Sequence, residues 1–431
     1  MVVSLAMLVV GMNTTAIGVA TRGMADELDA SVATLEWIVG AYLLTGAAFA
    51  LIGGRLGDDL GRKRLLVTGL GVFALGSAVA ATAPSSSVLI AARAVQGLGA
   101  ALVLPASIEV LAAFPIHGDP SAGFRVRGIV YASAFGIGPL VGGVLTDWIS
   151  WRAVFVLELG LVVAALVVSV PLQRARSELP KRATSDLAGA LVVAPLIILT
   201  VLTASQARRW GWSPLLAGAL SALVALALAL RAVERRARHP LLHRGLLRDR
   251  VVVGANLATL GASVGMLGLV YFFNLFAQSA AVLGRTGVEV AAALVPFTVS
   301  IGAFPQIASA LSRRIGYRGP VLAGLGLATF GFAWLSFVDA SVTEAQIAVP
   351  LAVCGIGAGV ANAGLTGPAV LVAQRARLDE AAGIVSLTRF LGSAIAIALG
   401  TATFLAVGTS DPTGAAATAD PDATMVGSSA Y

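Results

Sequence analysis

The chain has 431 residues, of which 58% are hydrophobic and only 12% are charged, and its mean hydropathy is +0.90. A soluble domain carries roughly 25% charged residues, so this composition excludes an ordinary soluble domain. The net charge of +7 is explained by membrane topology rather than by nucleic-acid binding. A single cysteine, Cys354, excludes an intrachain disulfide.

Long apolar runs predict an all-α, polytopic membrane protein, because a helix needs about 20 apolar residues to cross the hydrocarbon core. Thirteen such runs occur along the chain. They lie near residues 2–21, 36–54, 65–83, 88–110, 126–146, 152–172, 186–205, 213–231, 251–274, 288–309, 319–338, 346–368 and 382–407.

Arginine and lysine predict the orientation of these spans, because basic residues concentrate in cytoplasmic loops. The loops after even-numbered spans and their edges carry 22 basic residues, whereas the loops after odd-numbered spans carry five. The N-terminus is therefore predicted to be cytoplasmic, and thirteen spans place the C-terminus outside.

The segment 54–64 concentrates charge between spans 2 and 3, with Gly54, Asp58, Gly61 and Arg62 among its residues. An ionised group at the bilayer centre costs roughly 2.5–3.5 kcal/mol, so the segment is predicted to form a tight aqueous turn. Asp58 could act as a latch that pairs with a cation during transport. The alternative is a turn that only determines topology.

Two arginines lie inside predicted spans. Arg93 in span 4 is followed one turn later by Gln96, and an intramembrane charge favours a functional role. Arg93 could hold a substrate or influence a carboxylate, or it could simply bond carbonyls of a neighbouring helix. Arg389 lies near the inner end of span 13 and is expected to extend its head group to the interface.

Span 5 contains Gly138, Pro139, Gly142 and Gly143 in sequence order. Gly138 and Gly142 form a small-xxx-small pair, which lets two helices approach closely. Pro139 removes one helical hydrogen bond and can bend the span. A hinge or a tight contact between two halves of the protein is one interpretation, and plain helix packing is the other.

These stretches together resemble the major facilitator superfamily of transporters. Residues 54–64 follow the pattern Gly-x-Leu-x-Asp-x-x-Gly-Arg-Lys, residues 93–97 resemble Arg-x-x-Gln-Gly, and residues 138–143 resemble the Gly-Pro-x-x-Gly-Gly motif of proton-coupled exporters. Residues 35–44 and two extra central spans resemble the drug:proton antiporters built from fourteen helices.

The resemblance implies a helix bundle over residues 1–172 and a second over 251–407, around a central cavity that opens alternately to each side. Residues 173–250 would hold two linker helices and a basic loop, and residues 408–431 a disordered tail. Because the family has fourteen spans, a count of thirteen leaves the second bundle one helix short. Either the chain is shortened, or a second copy fills the gap.

The chain departs from the resembled antiporters in span 1, where they carry an aspartate and this chain has Asn13. An amide cannot carry a proton, so another carboxylate is needed for proton coupling. Glu158 in span 6, where the resembled sequences usually have asparagine, is the first candidate. Glu109 in span 4 is the second, although it could instead extend to the cytoplasmic interface. It lies roughly 24 Å along the helix from Arg93 and does not pair with it.

The resemblance therefore implies a secondary transporter, not an enzyme, that exports hydrophobic or cationic small molecules in exchange for protons. The sequence has no phosphate-binding loop and no metal-ligand spacing, so no cofactor, metal or nucleic acid is expected. The oligomeric state stays open. Two alternatives are a protein that binds a ligand or partner without transporting it, and a metabolite facilitator that needs no proton.

Overall fold

The computed structural model describes residues 1–113, 120–174, 187–211, 213–236, 249–278, 284–316, 318–337, 344–372 and 378–410. Within these ranges the chain forms fifteen α-helices. They are α1 (Val2–Val19), α2 (Thr21–Leu28), α3 (Val32–Leu60), α4 (Arg62–Ala81), α5 (Ser86–Ala113), α6 (Pro120–Trp148), α7 (Arg152–Arg174), α8 (Leu187–Trp210), α9 (Pro214–Arg236), α10 (Arg250–Gln278), α11 (Gly287–Ala293), α12 (Val295–Ile315), α13 (Arg318–Leu335), α14 (Glu344–Val372) and α15 (Leu378–Ser410).

The all-α membrane fold is confirmed, and a helix lies at each of the thirteen predicted spans. Ten of the described helices are long and apolar enough to cross a membrane. The stretches Val192–Thr203 and Gln346–Asn362 are shorter apolar helices. The last helix continues to Ser410, and residues 411–431 of the predicted disordered tail lie outside the described part of the chain.

The charged segment 54–64 is not the loop that its charges predict. Helix α3 continues to Leu60, and helix α4 begins at Arg62, so Gly61 alone separates them. Gly61 has a φ of 85° and a ψ of 135°, a backbone conformation that glycine adopts at little cost. The charges therefore lie on two helix ends that meet at a sharp corner.

The predicted span at 288–309 is broken into α11 and α12 at Leu294. A capping box starts α11: the Thr286 side chain accepts from the Glu289 backbone, and the Glu289 side chain accepts from the Thr286 backbone. A proline at the start of α12 suits a new first turn, because its missing N–H would have no partner there.

The helices pack in two sets of neighbours along the chain. Helix α1 packs against α6 and α7, and α5 packs between α3 and α4. Farther along the chain, α14 packs between α12 and α13, and α10 packs against α15. The two sets meet where α3 contacts α15 and where α6 contacts α11 and α12. The division at residues 172 and 251 stays a prediction.

Candidate functional site

Five fully buried polar side chains meet between α1, α4, α5 and α7, and we call them the Glu158 cluster. They are Asn13, Ser77, Arg93, Gln96 and Glu158. Arg93 and Gln96 lie three residues apart, which places them on one face of α5. Helix α7 presents Glu158 to that face, and α1 presents Asn13.

The Glu158 carboxylate accepts three hydrogen bonds from uncharged side chains. The Asn13 amide nitrogen lies 2.9 Å from each carboxylate oxygen. The Gln96 amide nitrogen donates to the second oxygen at 3.0 Å and to the Ser77 hydroxyl at 2.8 Å. A buried carboxylate with several donors is stabilised, because every donor replaces part of the hydration that burial removed.

Arg93 provides the positive charge of the cluster. Its Nη1 donates to the Asn13 carbonyl oxygen at 2.9 Å and to the Gln96 carbonyl oxygen at 2.6 Å. Its Nε donates to the Ile38 backbone carbonyl at 3.1 Å, and its guanidinium lies 4.5 Å from the centre of the Tyr42 ring. Arg93 therefore bonds a backbone carbonyl of the neighbouring helix α3, and it also shares both amide side chains with Glu158.

The two amides stand between opposite charges. Asn13 and Gln96 each give their NH₂ group to Glu158 and their oxygen to Arg93, so both amide dipoles are aligned with the field between the charges. A buried charge is tolerated only where geometry and hydrogen bonds compensate for lost hydration. Here that compensation depends on all four groups at once, so a change in the charge of Glu158 must disturb both amides.

The structure brings together four of the five residues predicted for a substrate or proton pathway, and Glu109 is the exception. The Glu109 side chain is fully buried rather than extended to the interface. One of its carboxylate oxygens lies 3.9 Å from Nε of Arg62. It also packs against Gly57, where an added Cβ would lie 3.0 Å from the Glu109 carboxyl carbon. Glu109 therefore belongs with the charged segment 54–64.

The charged segment contacts α5 closely. Gly54 is buried near the start of α15, and Gly61 forms the corner before Arg62. The Asp58 side chain lies outside the described residues. The described ion pair across this region joins Arg62 on α4 to Glu109 on α5.

The glycines of α6 face two different helices. A Cβ added at Gly138 would lie 2.8 Å from the Met12 carbonyl oxygen, and one at Gly142 would lie 2.9 Å from the Ala16 Cα. Both glycines therefore pack closely against α1 of the same predicted bundle. Gly143 makes the contact between bundles, because an added Cβ would lie 2.8 Å from the Gly287 carbonyl carbon. Pro139 lies inside α6.

Polar contacts join α1 and α6 to helices α10–α12, and we call this contact region the seam. Gln278 donates to the Val19 carbonyl at 2.9 Å, and Asn274 donates to the Gly18 carbonyl. Asp147 accepts from the Val288 backbone at 2.7 Å at the start of α11. Helix α1 therefore carries both Asn13 of the Glu158 cluster and the carbonyls of the seam.

Sequence reasoning missed Ser77 and Tyr42, which support Gln96 and Arg93. Ser77 offers only a hydroxyl within an apolar span, and many such hydroxyls merely bond their own helix. Tyr42 lies in the antiporter-like residues 35–44, but that pattern does not indicate a contact with Arg93. Arg389 is also placed differently from the prediction. Its side chain is buried, and its guanidinium lies over the Tyr131 ring of α6 rather than at the interface.

Comparison with known proteins identifies relatives along nearly the whole chain. Residues 3–397 match the sequence model of the Major Facilitator Superfamily. The methylenomycin A resistance protein of Streptomyces coelicolor is 30% identical over 394 residues, covering 90% of this chain and 81% of the relative. The cephamycin export protein CmcT of Amycolatopsis lactamdurans is 30% identical over 401 residues, covering 90% and 80%. The multidrug resistance protein Stp of Mycobacterium tuberculosis is 30% identical over 368 residues, covering 85% and 68%.

Proposed function

The chain belongs to the major facilitator superfamily, and from that premise we propose that it is a proton-coupled exporter of small molecules that works by alternating access. The relatives named for antibiotic resistance and for export support the direction of transport. The observation that carries the coupling is the fully buried carboxylate of Glu158, bonded to Asn13 and Gln96.

An exchange of acid and amide explains how coupling survives without an acid at position 13. The resembled antiporters have an acid in span 1 and usually asparagine in span 6, whereas this chain has Asn13 and Glu158. The two side chains are in direct contact at 2.9 Å. Glu158 therefore supplies a carboxylate from α7 to the place where the acid of α1 would lie, and the number of charges is kept.

Protonation of Glu158 would act on α1. A neutral carboxyl group donates from its hydroxyl oxygen, which is a weaker acceptor than a carboxylate oxygen, so protonation weakens the bonds that Glu158 accepts from the two amides. Asn13 would reorient, and Arg93 would lose the charge that balances it. Because α1 also carries the seam carbonyls of Gly18 and Val19, this local change reaches the contact between the bundles.

The remaining predicted residues have parts in the same cycle. Gly138 and Gly142 let α1 slide along α6, with Pro139 as the bend, and Gly143 closes the seam against α11. Beside the corner at Gly61, the pair of Arg62 and Glu109 serves as the latch that opens during transport, and Gly54 and Asp58 belong to the adjoining end of α3. Asp58 is proposed as a second carboxylate of that latch.

The location follows from the charge distribution. We place the protein in the plasma membrane with its N-terminus in the cytoplasm, because basic residues concentrate after even-numbered spans. The corner at Gly61 then lies on the cytoplasmic face, and Arg152 at the start of α7 lies on the outer face.

The test uses the purified chain in liposomes with an imposed pH gradient and a fluorescent hydrophobic dye. The Glu158→Gln variant keeps the shape of the side chain and is expected to abolish gradient-driven dye movement. The matched control is Asp26→Asn, an exposed acid on α2, which is expected to retain it. Gradient-driven movement that survives Glu158→Gln would remove Glu158 from the mechanism.

The same assay separates the alternatives. A protein that binds the dye without moving it under any gradient would be a non-transporting binder. Dye movement that is indifferent to the gradient in the unsubstituted protein would indicate a facilitator that needs no proton. Either result would contradict proton-coupled export.

A further inference from the structure

Two arginines outside the Glu158 cluster are buried at the contact between the predicted bundles, and we call them the arginine pair. Arg127 on α6 is 5% exposed, and Arg389 on α15 is 8% exposed. Each comes from a different predicted bundle. Both lie beside Tyr131 of α6, which follows Arg127 by one helical turn and carries the Arg389 guanidinium over its ring.

The contacts of the arginine pair are neutral. Arg127 donates from Nε to the Ser107 hydroxyl at 2.9 Å. Arg389 donates from Nη1 to the Asn362 carbonyl oxygen at 3.3 Å, and its guanidinium lies 4.7 Å from the centre of the Tyr131 ring. Tyr131 follows Arg127 by one helical turn, so the ring stands on the same face of α6 as Arg127.

No acid balances these charges within the described part of the chain, where neither Arg127 nor Arg389 forms an ion pair. A tyrosine ring attracts a cation but carries no net charge. Burial of two like charges without a counter-ion is strongly unfavourable, and it marks a place where an anion would bind. Arginine suits this task, because its planar fork of donors matches a carboxylate or phosphate group.

The surroundings of the arginine pair include buried aromatic side chains. Phe390, the neighbour of Arg389 in the sequence, packs edge-on against Tyr42 with ring centres 5.8 Å apart, and its ring rests on Gly46. The aromatic ring that contacts the pair itself is Tyr131, which lies beneath the Arg389 guanidinium and one helical turn from Arg127. This combination favours an amphipathic anion.

We propose that Arg127 and Arg389 bind the carboxylate or a comparable anionic group of an amphipathic substrate as it enters from the cytoplasm. The position supports entry from that side, because both arginines lie within about two turns of the predicted inner ends of their spans. The proposal rests on the proposed function and changes its substrate class, since two unbalanced arginines repel the cationic compounds that the family resemblance implies.

The test measures binding and needs no proton gradient, so it stays independent of the outcome for Glu158. The full chain is placed in nanodiscs of phosphatidylcholine, and the affinities of dansylglycine and its uncharged amide are compared by fluorescence anisotropy. The acid is expected to bind at least tenfold more tightly than the amide. Equal binding of the two ligands, or no binding of either, would overturn the proposal.

Four variants assign the preference to the arginine pair. Arg127→Gln and Arg389→Gln are each expected to reduce the preference for the acid to less than threefold. Arg389→Lys keeps the charge and should retain most of the preference, which guards against a variant that merely misfolds. Arg318→Gln, at an exposed arginine of α13, is the matched control and should bind as the unsubstituted protein does. A preference that survives both glutamine substitutions would refute the assignment.

An anionic lipid head group offers the same chemistry, so a second arm adds phosphatidylglycerol to the nanodiscs. If substrate binding is the role of the pair, dansylglycine retains its preference over the amide in this membrane. Two results together would identify a lipid site and contradict the substrate proposal. The preference would be lost in this membrane, and phosphatidylglycerol would stabilise the protein against unfolding only when both arginines are present.

Discussion

Three described arginines lie over aromatic rings, and their surroundings differ in one respect. Arg93 lies 4.5 Å from the Tyr42 ring and shares two amides with the buried acid Glu158. Arg389 lies 4.7 Å from the Tyr131 ring and forms no ion pair with the acids that the structure describes. Arg152 lies 4.2 Å from the Trp151 ring and pairs with Glu27 where both are partly exposed.

The difference separates two tasks. A buried cation with its own acid forms a closed unit whose charge changes only when a proton arrives, which suits coupling. A buried cation without an acid keeps its attraction for an external anion, which suits substrate binding. The ring adds a similar, modest attraction in each case, so the presence of the acid decides between the two tasks.

The largest expected effect comes from removing the cation of the closed unit. Arg93→Leu leaves the Glu158 carboxylate buried without a positive charge, and breaking a buried pair costs about 3–5 kcal/mol. Arg389→Leu leaves no acid behind, so its effect on stability should stay within about 1 kcal/mol or be favourable. Unfolding in mixed detergent micelles measures both. Equal losses for the two variants would contradict the comparison.

The second effect tests the exchange of acid and amide inside the Glu158 cluster. Combining Asn13→Asp with Glu158→Gln moves the carboxylate from α7 to α1 and keeps one acid beside Arg93. Gradient-driven export is expected to recover at least about tenfold over Glu158→Gln alone, since a charged hydrogen bond contributes about 1.5–3 kcal/mol.

Asn13→Asp alone is the control for this rescue, because it places two acids side by side and should impair export. A double variant no more active than Glu158→Gln would show that the helix supplying the carboxylate matters. The exchange would then not account for coupling.

A third, smaller effect comes from giving the arginine pair an acid. Asn362→Asp places a carboxylate where an oxygen already lies 3.3 Å from Arg389 Nη1. The free energy of unfolding is expected to rise by about 1 kcal/mol, and the preference for binding dansylglycine over its amide should fall. Asn362→Leu is the control, because it also removes the amide NH₂ group of Asn362 but adds no charge. An unchanged preference in Asn362→Asp would place the bound anion elsewhere.

Much of the fold could be predicted from the sequence, because apolar length and basic loops are local properties. The errors fell where one residue decides the local geometry. Gly61 turns a charged stretch into a corner between two helices, and a capping box at Thr286 starts a separate short helix before α12. Hydropathy averages over a window, and such single positions disappear in it.

The Glu158 cluster could be predicted in part from depth. Arg93 lies five residues from the outer end of its predicted span, and Glu158 lies six residues after Arg152, so both are roughly 8–9 Å deep. Equal depth permits contact, but the helix neighbours that bring it about are tertiary.

The arginine pair could not be found in this way. Arg127 was counted among the basic residues that determine topology, and its burial depends on the packing of α6 against distant helices.

The smallest effect concerns Arg152, which stacks on Trp151 and pairs with Glu27. Both charged groups are partly exposed, so solvent weakens their attraction. A hydrogen bond from Arg152 holds the pKa of Glu27 below its ordinary value of 4.5, and Trp151 donates a second bond at 2.6 Å. Because the pKa is lowered in the folded protein, the stabilisation is complete above about pH 4.5 and is lost as the pH falls through the folded-state pKa.

Glu27→Gln should therefore lower the melting temperature at neutral pH, by an amount that corresponds to at most about 1 kcal/mol, since exposed pairs contribute little. The difference from the unsubstituted protein should close as the pH drops below the range in which Glu27 ionises. Asp26→Asn, at an exposed acid one residue away, is the matched control for the loss of a carboxylate from α2. A difference that persists in acid would mean that Glu27 acts through packing and not through its charge. Arg152 and Glu27 would then not be comparable with Arg93 and Glu158 as an arginine with its acid.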